Sequence, residues 1–167
     1  MKWPLFTFLA PAVFTFSAAG QTKQPQFHTY AATVEKMRVR AIDFKKNPDA
    51  RSFRTRLSEG LRGGINFAGH YILVGWGCGT GCTNAAIIDG RTGSVFWPDQ
   101  FANLDASYGE GYSEEQIEFR KNSRLLIIHG RPGSYRENAK ILPSGDHYYE
   151  WKNDRLRLIR SEIKASK

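Results

Sequence analysis

The sequence lacks the features by which several large classes of protein are recognised. It has no internal repeat, which argues against propellers and solenoids. Its glycines at residues 75–81 lie between two predicted strands, whereas a phosphate-binding loop leads into the start of a helix. The four histidines and two cysteines follow no compact spacing of metal ligands. We therefore predict neither a metal nor any other cofactor.

Long apolar segments are also absent. The longest run, residues 3–16, has about 14 residues and contains two prolines, whereas a spanning helix needs roughly 20. A lysine precedes the run and small residues follow it. This order predicts a cleavable secretory signal over residues 1–20, cut after Ala19 or Gly20, and hence a periplasmic or secreted protein.

Acidic residues are few relative to basic ones. The chain has 16 Asp and Glu against 24 Lys and Arg, a formal net charge of +8. We predict an extended lead-in over residues 21–35 and a single domain over residues 36–167. The positive charge fits either a well-solvated surface or affinity for an anionic partner, and both interpretations stay open. The predicted partner is a protein or an anionic envelope component; predicted export disfavours nucleic acid.

Cysteine is scarce, and its two copies lie close together. Cys78 and Cys82 are separated by Gly79-Thr80-Gly81. In an exported protein such a pair predicts a disulfide, and the glycines let the two Cβ atoms approach each other. So short a loop contributes about 2 kcal/mol of stability in the chain-entropy account. Metal ligation or free thiols remain the alternatives.

One amphipathic helix is predicted over residues 48–62. Asn47 is a suitable N-cap, Pro48 fits the first helical position, and two glycines follow Arg62. The apolar stripe consists of Ala50, Phe53, Leu57 and Leu61. A neighbouring face carries Arg51, Arg54, Ser58 and Arg62. This arginine face is interpreted as either solvated or a binding patch.

The remaining pattern predicts strands. Residues 37–41 alternate apolar and basic side chains, as a half-buried strand does. Further strands are predicted at residues 71–76, 85–89, 94–97, 116–120, 125–130, 148–151 and 156–159. The fold class is therefore α+β, an antiparallel meander of about six to eight strands with one N-terminal helix packed on it. The expected core includes Trp76, Ile87, Phe96, Leu126, Ile128, Trp151 and Leu158.

Three short strings carry a resemblance to a known family. They are residues 66–71 (NFAGHY), 76–82 (WGCGTGC) and 87–93 (IIDGRTG). Together they resemble a signature of uncharacterised secreted bacterial proteins. The resemblance implies export from a bacterial cell and no particular activity.

Four polar or aromatic residues around the cysteine turn are candidates for a site. They are Asn66, His70, Trp76 and Asn84. Their polar groups are costly to bury without partners, so they either contact a ligand or form a hydrogen-bonded network that braces the turn. Both explanations stay open.

Two hypotheses of function follow. We favour a non-catalytic exported binding protein, for example of the inhibitor or immunity type, that uses the arginine face or the loops at residues 99–115 and 131–138. The alternative is a small periplasmic hydrolase with its site near His70 and the cysteine turn. That chemistry needs a thiolate and a nearby base, and a disulfide would remove the thiolate. The oligomeric state is not predicted.

Overall fold

The computed structural model describes residues 23–105, 115–133 and 141–163. Within these ranges the protein is α+β, with eight strands in two antiparallel sheets and one α-helix. The predicted signal over residues 1–20 and the first two residues of the lead-in lie outside the described residues.

The first sheet is a glycine-rich hairpin with two short additional strands. Its strands are β1 (Tyr71–Gly79), β2 (Cys82–Asp89), β3 (Val95–Phe96) and β4 (Leu104–Asp105). β1 pairs with one edge of β2, while β3 and β4 pair with opposite ends of its other edge. β1 is longer than predicted because residues 77–79 remain in the strand, and the chain reverses at Gly81, whose φ is +67°.

The second sheet is a four-stranded meander in chain order. Its strands are β5 (Ile117–Phe119), β6 (Leu125–Gly130), β7 (Gly145–Trp151) and β8 (Leu156–Ile163). The predicted turn between β7 and β8 is confirmed, since Asn153 and Asp154 both have φ near +55°. These residue types tolerate that conformation best after glycine.

The prediction of a single meandering sheet was wrong, because the strands divide into two sheets that enclose a common core. The reason lies in β1, where Ile72, Leu73 and Val74 are all buried. Since successive side chains of a strand point to opposite faces, both faces of this sheet need a covering layer. The second sheet covers one face, and α1 (Arg54–Arg62) with the segment at residues 36–47 covers the other. This segment continues the predicted lead-in, and from here on we use the name lead-in for residues 23–47.

The predicted helix is present but begins differently. Pro48–Phe53 form a 3-10 helix that leads directly into α1, and Gly64 follows with a φ of +77°. The side chain of Asn47 makes no capping hydrogen bond. Its Oδ1 instead accepts a hydrogen bond from the Val95 N–H at 3.1 Å, which attaches the start of the helix to the first sheet.

Two further expectations are corrected. Residues 37–41 form no strand; within the described part of the chain, their backbone donates one hydrogen bond, from Arg40 N to Gly90 O at 2.8 Å. Leu158 is 48% exposed, because β8 is the outer strand of its sheet. Of the other expected core residues, Trp76 and Phe96 are half-buried against the core and the rest are buried.

Candidate functional site

The cysteine turn is the tip of the β1–β2 hairpin. Cys78 and Cys82 are joined by a disulfide, with their Cα atoms 5.2 Å apart, as predicted. A disulfide sulfur is not a thiolate, so neither cysteine acts as a nucleophile in this form. The cysteine version of the hydrolase hypothesis therefore has no nucleophile at this turn.

A thiol titration checks this state directly. Unreduced, denatured protein is expected to react with less than one equivalent of Ellman's reagent, whereas two equivalents appear after reduction, because both sulfurs belong to one bond. Reactive thiols in the unreduced protein would contradict the assignment and reopen thiol chemistry at the turn.

Asn66 is a backbone brace on the outer edge of β1. Its Oδ1 accepts a hydrogen bond from Leu73 N at 2.7 Å, and its Nδ2 donates one to Leu73 O at 2.9 Å. The side-chain amide thus pairs with β1 as a neighbouring strand would. The adjacent Phe67 forms backbone hydrogen bonds with Tyr71, which returns the chain into β1.

His70 lies at the other end of β1 from the disulfide, between two carboxylates. Its Nδ1 is 3.4 Å from Glu35 Oε1 and its Nε2 is 4.0 Å from Asp89 Oδ1. Glu35 also forms a two-point ion pair with Arg91. Partial burial, followed by the charge of Arg91, lowers the pKa of His70, and the two carboxylates only partly oppose this. The cluster fastens the lead-in to the first sheet.

Trp76 and Asn84 are register partners near the hairpin tip. The Trp76 ring packs on Phe53, with ring centroids 4.9 Å apart, and also contacts Trp97. Asn84 Oδ1 accepts a hydrogen bond from Asn103 N at 2.7 Å. The four residues predicted as one cluster therefore occupy three separate environments, and only Trp76 and Asn84 face each other across the sheet.

In the second sheet, His129 and His147 each pair with another side chain, and the sequence did not reveal either pair. His129 Nδ1 lies 2.8 Å from Asp146 Oδ1, its register partner on β7. His147 is fully buried, and its Nε2 donates to Pro143 O at 2.9 Å while its Nδ1 accepts from Ser161 Oγ. Burial lowers the pKa of His147, consistent with a neutral ring. Only the strand register, which is a non-local property, could have identified these pairs.

Most of the net positive charge of the chain comes from nine basic residues between residues 36 and 62. All nine side chains are exposed. This stretch contains three acidic residues and has a net charge of +6, whereas the other 140 residues carry fifteen basic and thirteen acidic residues. We call this set the basic surface: Lys36, Arg38, Arg40, Lys45, Lys46, Arg51, Arg54, Arg56 and Arg62.

The basic surface belongs to one layer of the fold. The apolar side chains of the lead-in and of the helix pack together on the same face of the first sheet, anchored by Ile42 and Leu57. Arg51 Nε donates to Phe44 O at 3.0 Å, and the Arg54 guanidinium lies 5.0 Å from the Phe44 ring centroid. The predicted arginine face contained only three members, because Arg56 lies off that face of the helix and the other five belong to the lead-in, which has no helical periodicity.

The nine charges are not neutralised within the described part of the chain. None of these side chains lies within ion-pair distance of a carboxylate there. Elsewhere ion pairs are common, for example Arg124 with Glu150 at 3.2 Å. The basic surface thus presents its charge to solvent or to a partner.

The two predicted functional loops are only partly described. Residues 106–114 of the first and 134–138 of the second lie outside the described residues. The described portion of the first loop contains a 3-10 turn, Asp99–Phe101, and β4. Asp105 and Arg131 join the two loops by a pair of backbone hydrogen bonds, at 3.1 and 2.8 Å.

Comparison of the chain with protein families, curated proteins and solved structures finds no match in any of the three. Among residues 23–105, 115–133 and 141–163, no helix is long and apolar enough to cross a membrane. Over the same residues, no three His, Cys, Asp or Glu side chains are grouped to hold a metal ion. Function must therefore be argued from the surface itself.

Proposed function

We propose that this chain is an exported binding protein that recognises an anionic component of the bacterial cell envelope through its basic surface. The observation that carries the proposal is the concentration of nine exposed Lys and Arg residues in a single layer, none of them ion-paired with a carboxylate of the described part of the chain. The disulfide and the signal-like leader support an oxidising compartment outside the cytosol.

The layer is suited to binding because its backbone is held firmly. The side chains of Leu57 and Ala50 on the helical segment are fully buried, and so is most of the side chain of Ile42 on the lead-in. Their apolar contacts with Ile72 and Ile88 fix the relative positions of the two basic segments. A fixed array of like charges produces a local positive potential that attracts anions over about a Debye length, roughly 8 Å at physiological salt.

Charge reversal tests the proposal. The triple variant Arg51→Glu, Arg54→Glu, Arg62→Glu is expected to bind lipopolysaccharide or vesicles containing phosphatidylglycerol about a hundredfold more weakly than the wild type. Each basic residue near an anionic surface contributes roughly 1 kcal/mol. Co-sedimentation at several salt concentrations measures the effect and should show a weaker salt dependence in the variant.

Two control variants separate charge from structure. Lys121→Glu, Lys152→Glu, Arg155→Glu changes the net charge equally at exposed positions in the turns between strands of the second sheet and should bind nearly as the wild type. Arg51→Lys, Arg54→Lys, Arg62→Lys removes the contacts with Phe44 but keeps the charge, so it should bind within a few-fold of the wild type. Equal losses in both glutamate variants would overturn the proposal.

A further inference from the structure

Backbone hydrogen bonds join the residues just before β1 to those just after β5, and a cleft lies beyond this junction. Ala68 N donates to Arg120 O at 3.3 Å, and Gly69 N donates to Lys121 O at 2.7 Å. Past this junction, β1 and β5 border a cleft of about 400 Å³. This volume is within the range of ligand-binding clefts. The residues that matter here are Leu73, Gly75, Thr83, Gln116, Ile117 and Phe119.

The edge of β1 that borders the cleft has unpaired backbone groups. In an antiparallel pair, alternate residues direct their N–H and C=O towards the partner strand and away from it. Leu73 directs both groups away from β2, because Asn66 binds them. By the same alternation Gly75 and Gly77 also point away from β2. Both glycines are exposed, and no hydrogen-bond partner is found there for their N–H and C=O groups within the described residues.

The fold itself does not require glycine at these two positions. A Cβ atom at Gly75 would be 3.8 Å from Asn84 O and one at Gly77 would be 4.0 Å from Cys82 O, which are ordinary contacts. Neither residue has the left-handed φ that favours glycine. Glycine weakens a strand, and often marks a place where another backbone approaches closely.

The opposite wall, β5, is also an outer strand of its sheet. His129 N donates to Gln116 O at 2.9 Å, so Gln116 faces β6 and the alternation turns the backbone groups of Ile117 and Phe119 outward. The side-chain Oε1 of Gln116 is buried and has no hydrogen-bond partner among residues 23–105, 115–133 and 141–163. The cleft thus lies between two strand edges that are both incompletely paired.

We propose that the β1 edge at Gly75–Gly77 binds an extended peptide segment of a partner protein by β-strand addition. Donors and acceptors spaced along a strand edge are complementary to another polypeptide backbone. The absence of side chains on the two glycines gives the incoming strand close access and leaves room for its own side chains. This site is separate from the basic surface and does not depend on it.

Hydrogen exchange on the intact, disulfide-bonded protein provides the first test. The amides of Gly75 and Gly77 should exchange at least about tenfold faster than those of Val74 and Trp76, which pair with β2. Slow exchange at Gly75 and Gly77 in the free protein would show that the chain itself already occupies this edge, and would overturn the proposal.

Peptide selection provides the second test. Phage-displayed random peptides selected on the protein should include binders that protect the Gly75 and Gly77 amides. Methylating a backbone nitrogen that faces β1 should weaken such a peptide about tenfold, the value of one hydrogen bond. The variant Gly75→Val, Gly77→Val should lose the peptides while remaining folded, because valine favours strands and the space is open.

A matched variant controls for the substitution. Arg157→Val places the same side chain at an exposed position of β8, the outer strand at the far side of the second sheet, and should leave peptide binding unchanged. Failure to enrich any peptide, or undiminished binding by the double valine variant, would overturn the proposal. Either result would leave anion binding by the basic surface unaffected.

Discussion

Replacing Gly93 with alanine is expected to remove about 3 kcal/mol or more of the free energy of unfolding. Gly93 has a φ of +77°, which costs an L-residue roughly 1–2 kcal/mol. The new Cβ atom would also approach the Ala41 backbone, with its carbonyl carbon only 3.1 Å away and the oxygen nearer still. The lead-in would have to move off the first sheet. Urea denaturation followed by circular dichroism measures the loss.

Gly64 provides a matched control for this substitution. Its φ is also +77°, but a Cβ atom there would have nothing within 4 Å. Gly64→Ala should therefore lose only the conformational contribution, roughly 1–2 kcal/mol. Equal losses at the two positions would contradict the steric argument and leave the backbone conformation as the whole effect.

Gly69 resembles Gly93 in both respects. Its φ is +88°, and a Cβ atom would approach Thr33 O at 2.5 Å. Gly69 belongs to the string at residues 66–71 and Gly93 to the string at residues 87–93, and both allow the lead-in to lie against the first sheet. Gly75 and Gly77 belong to or adjoin the strings that carry the family resemblance but meet no such constraint. The strings therefore combine glycines needed for packing with glycines that the packing does not explain.

Local signals in the sequence predicted the helix and the hairpins well. Pro48 and the two glycines after Arg62 mark the ends of the helical segment, and the β7–β8 turn follows from Asn153 and Asp154. Each of these features depends on residues within a few positions of one another. The disulfide was predicted for the same reason.

Non-local features were predicted poorly. A single sheet was expected because hairpin signals predict that consecutive strands pair. They do not predict where the pairing between consecutive strands is interrupted and a second sheet begins. Residues 37–41 alternate as a strand does, yet they pack against the helix layer and make a single backbone hydrogen bond to Gly90. An alternating pattern indicates only that one face of a segment is buried. The lead-in buries such a face without forming a ladder of backbone hydrogen bonds with a neighbouring strand.

The candidate sites depend on these non-local features. Three of the four arginines of the helical segment were predicted as one face from its periodicity. The lead-in adds five more basic residues to the same layer only because Ile42 packs in the same cluster as Leu57. Similarly, the unpaired edge at Gly75 follows from the hydrogen bonds of Asn66 to Leu73. No spacing in the sequence predicts either arrangement.

Trp151 is expected to be the most costly aromatic side chain to truncate. It is 2% exposed and contacts three rings across the main core: Tyr71 and Phe96 of the first sheet, and Phe67 before it, with centroids 5.4, 5.7 and 6.3 Å away. Trp151→Ala should lose about 3–5 kcal/mol, through lost burial and the cavity that remains. Thermal and urea unfolding measure it; if the alanine variant does not fold, Trp151→Phe should show a smaller loss.

Leu158 provides a control for this prediction, because the sequence pattern predicts that it belongs to the core together with Trp151. It lies on the same hairpin, opposite Tyr149, but on the outer strand of the sheet, where its side chain is 48% exposed. Leu158→Ala should therefore change the free energy of unfolding by no more than about 0.5 kcal/mol. A loss comparable to that of Trp151→Ala would mean that something covers β8 in the folded protein, and the assignment of β8 as an open edge would then be wrong.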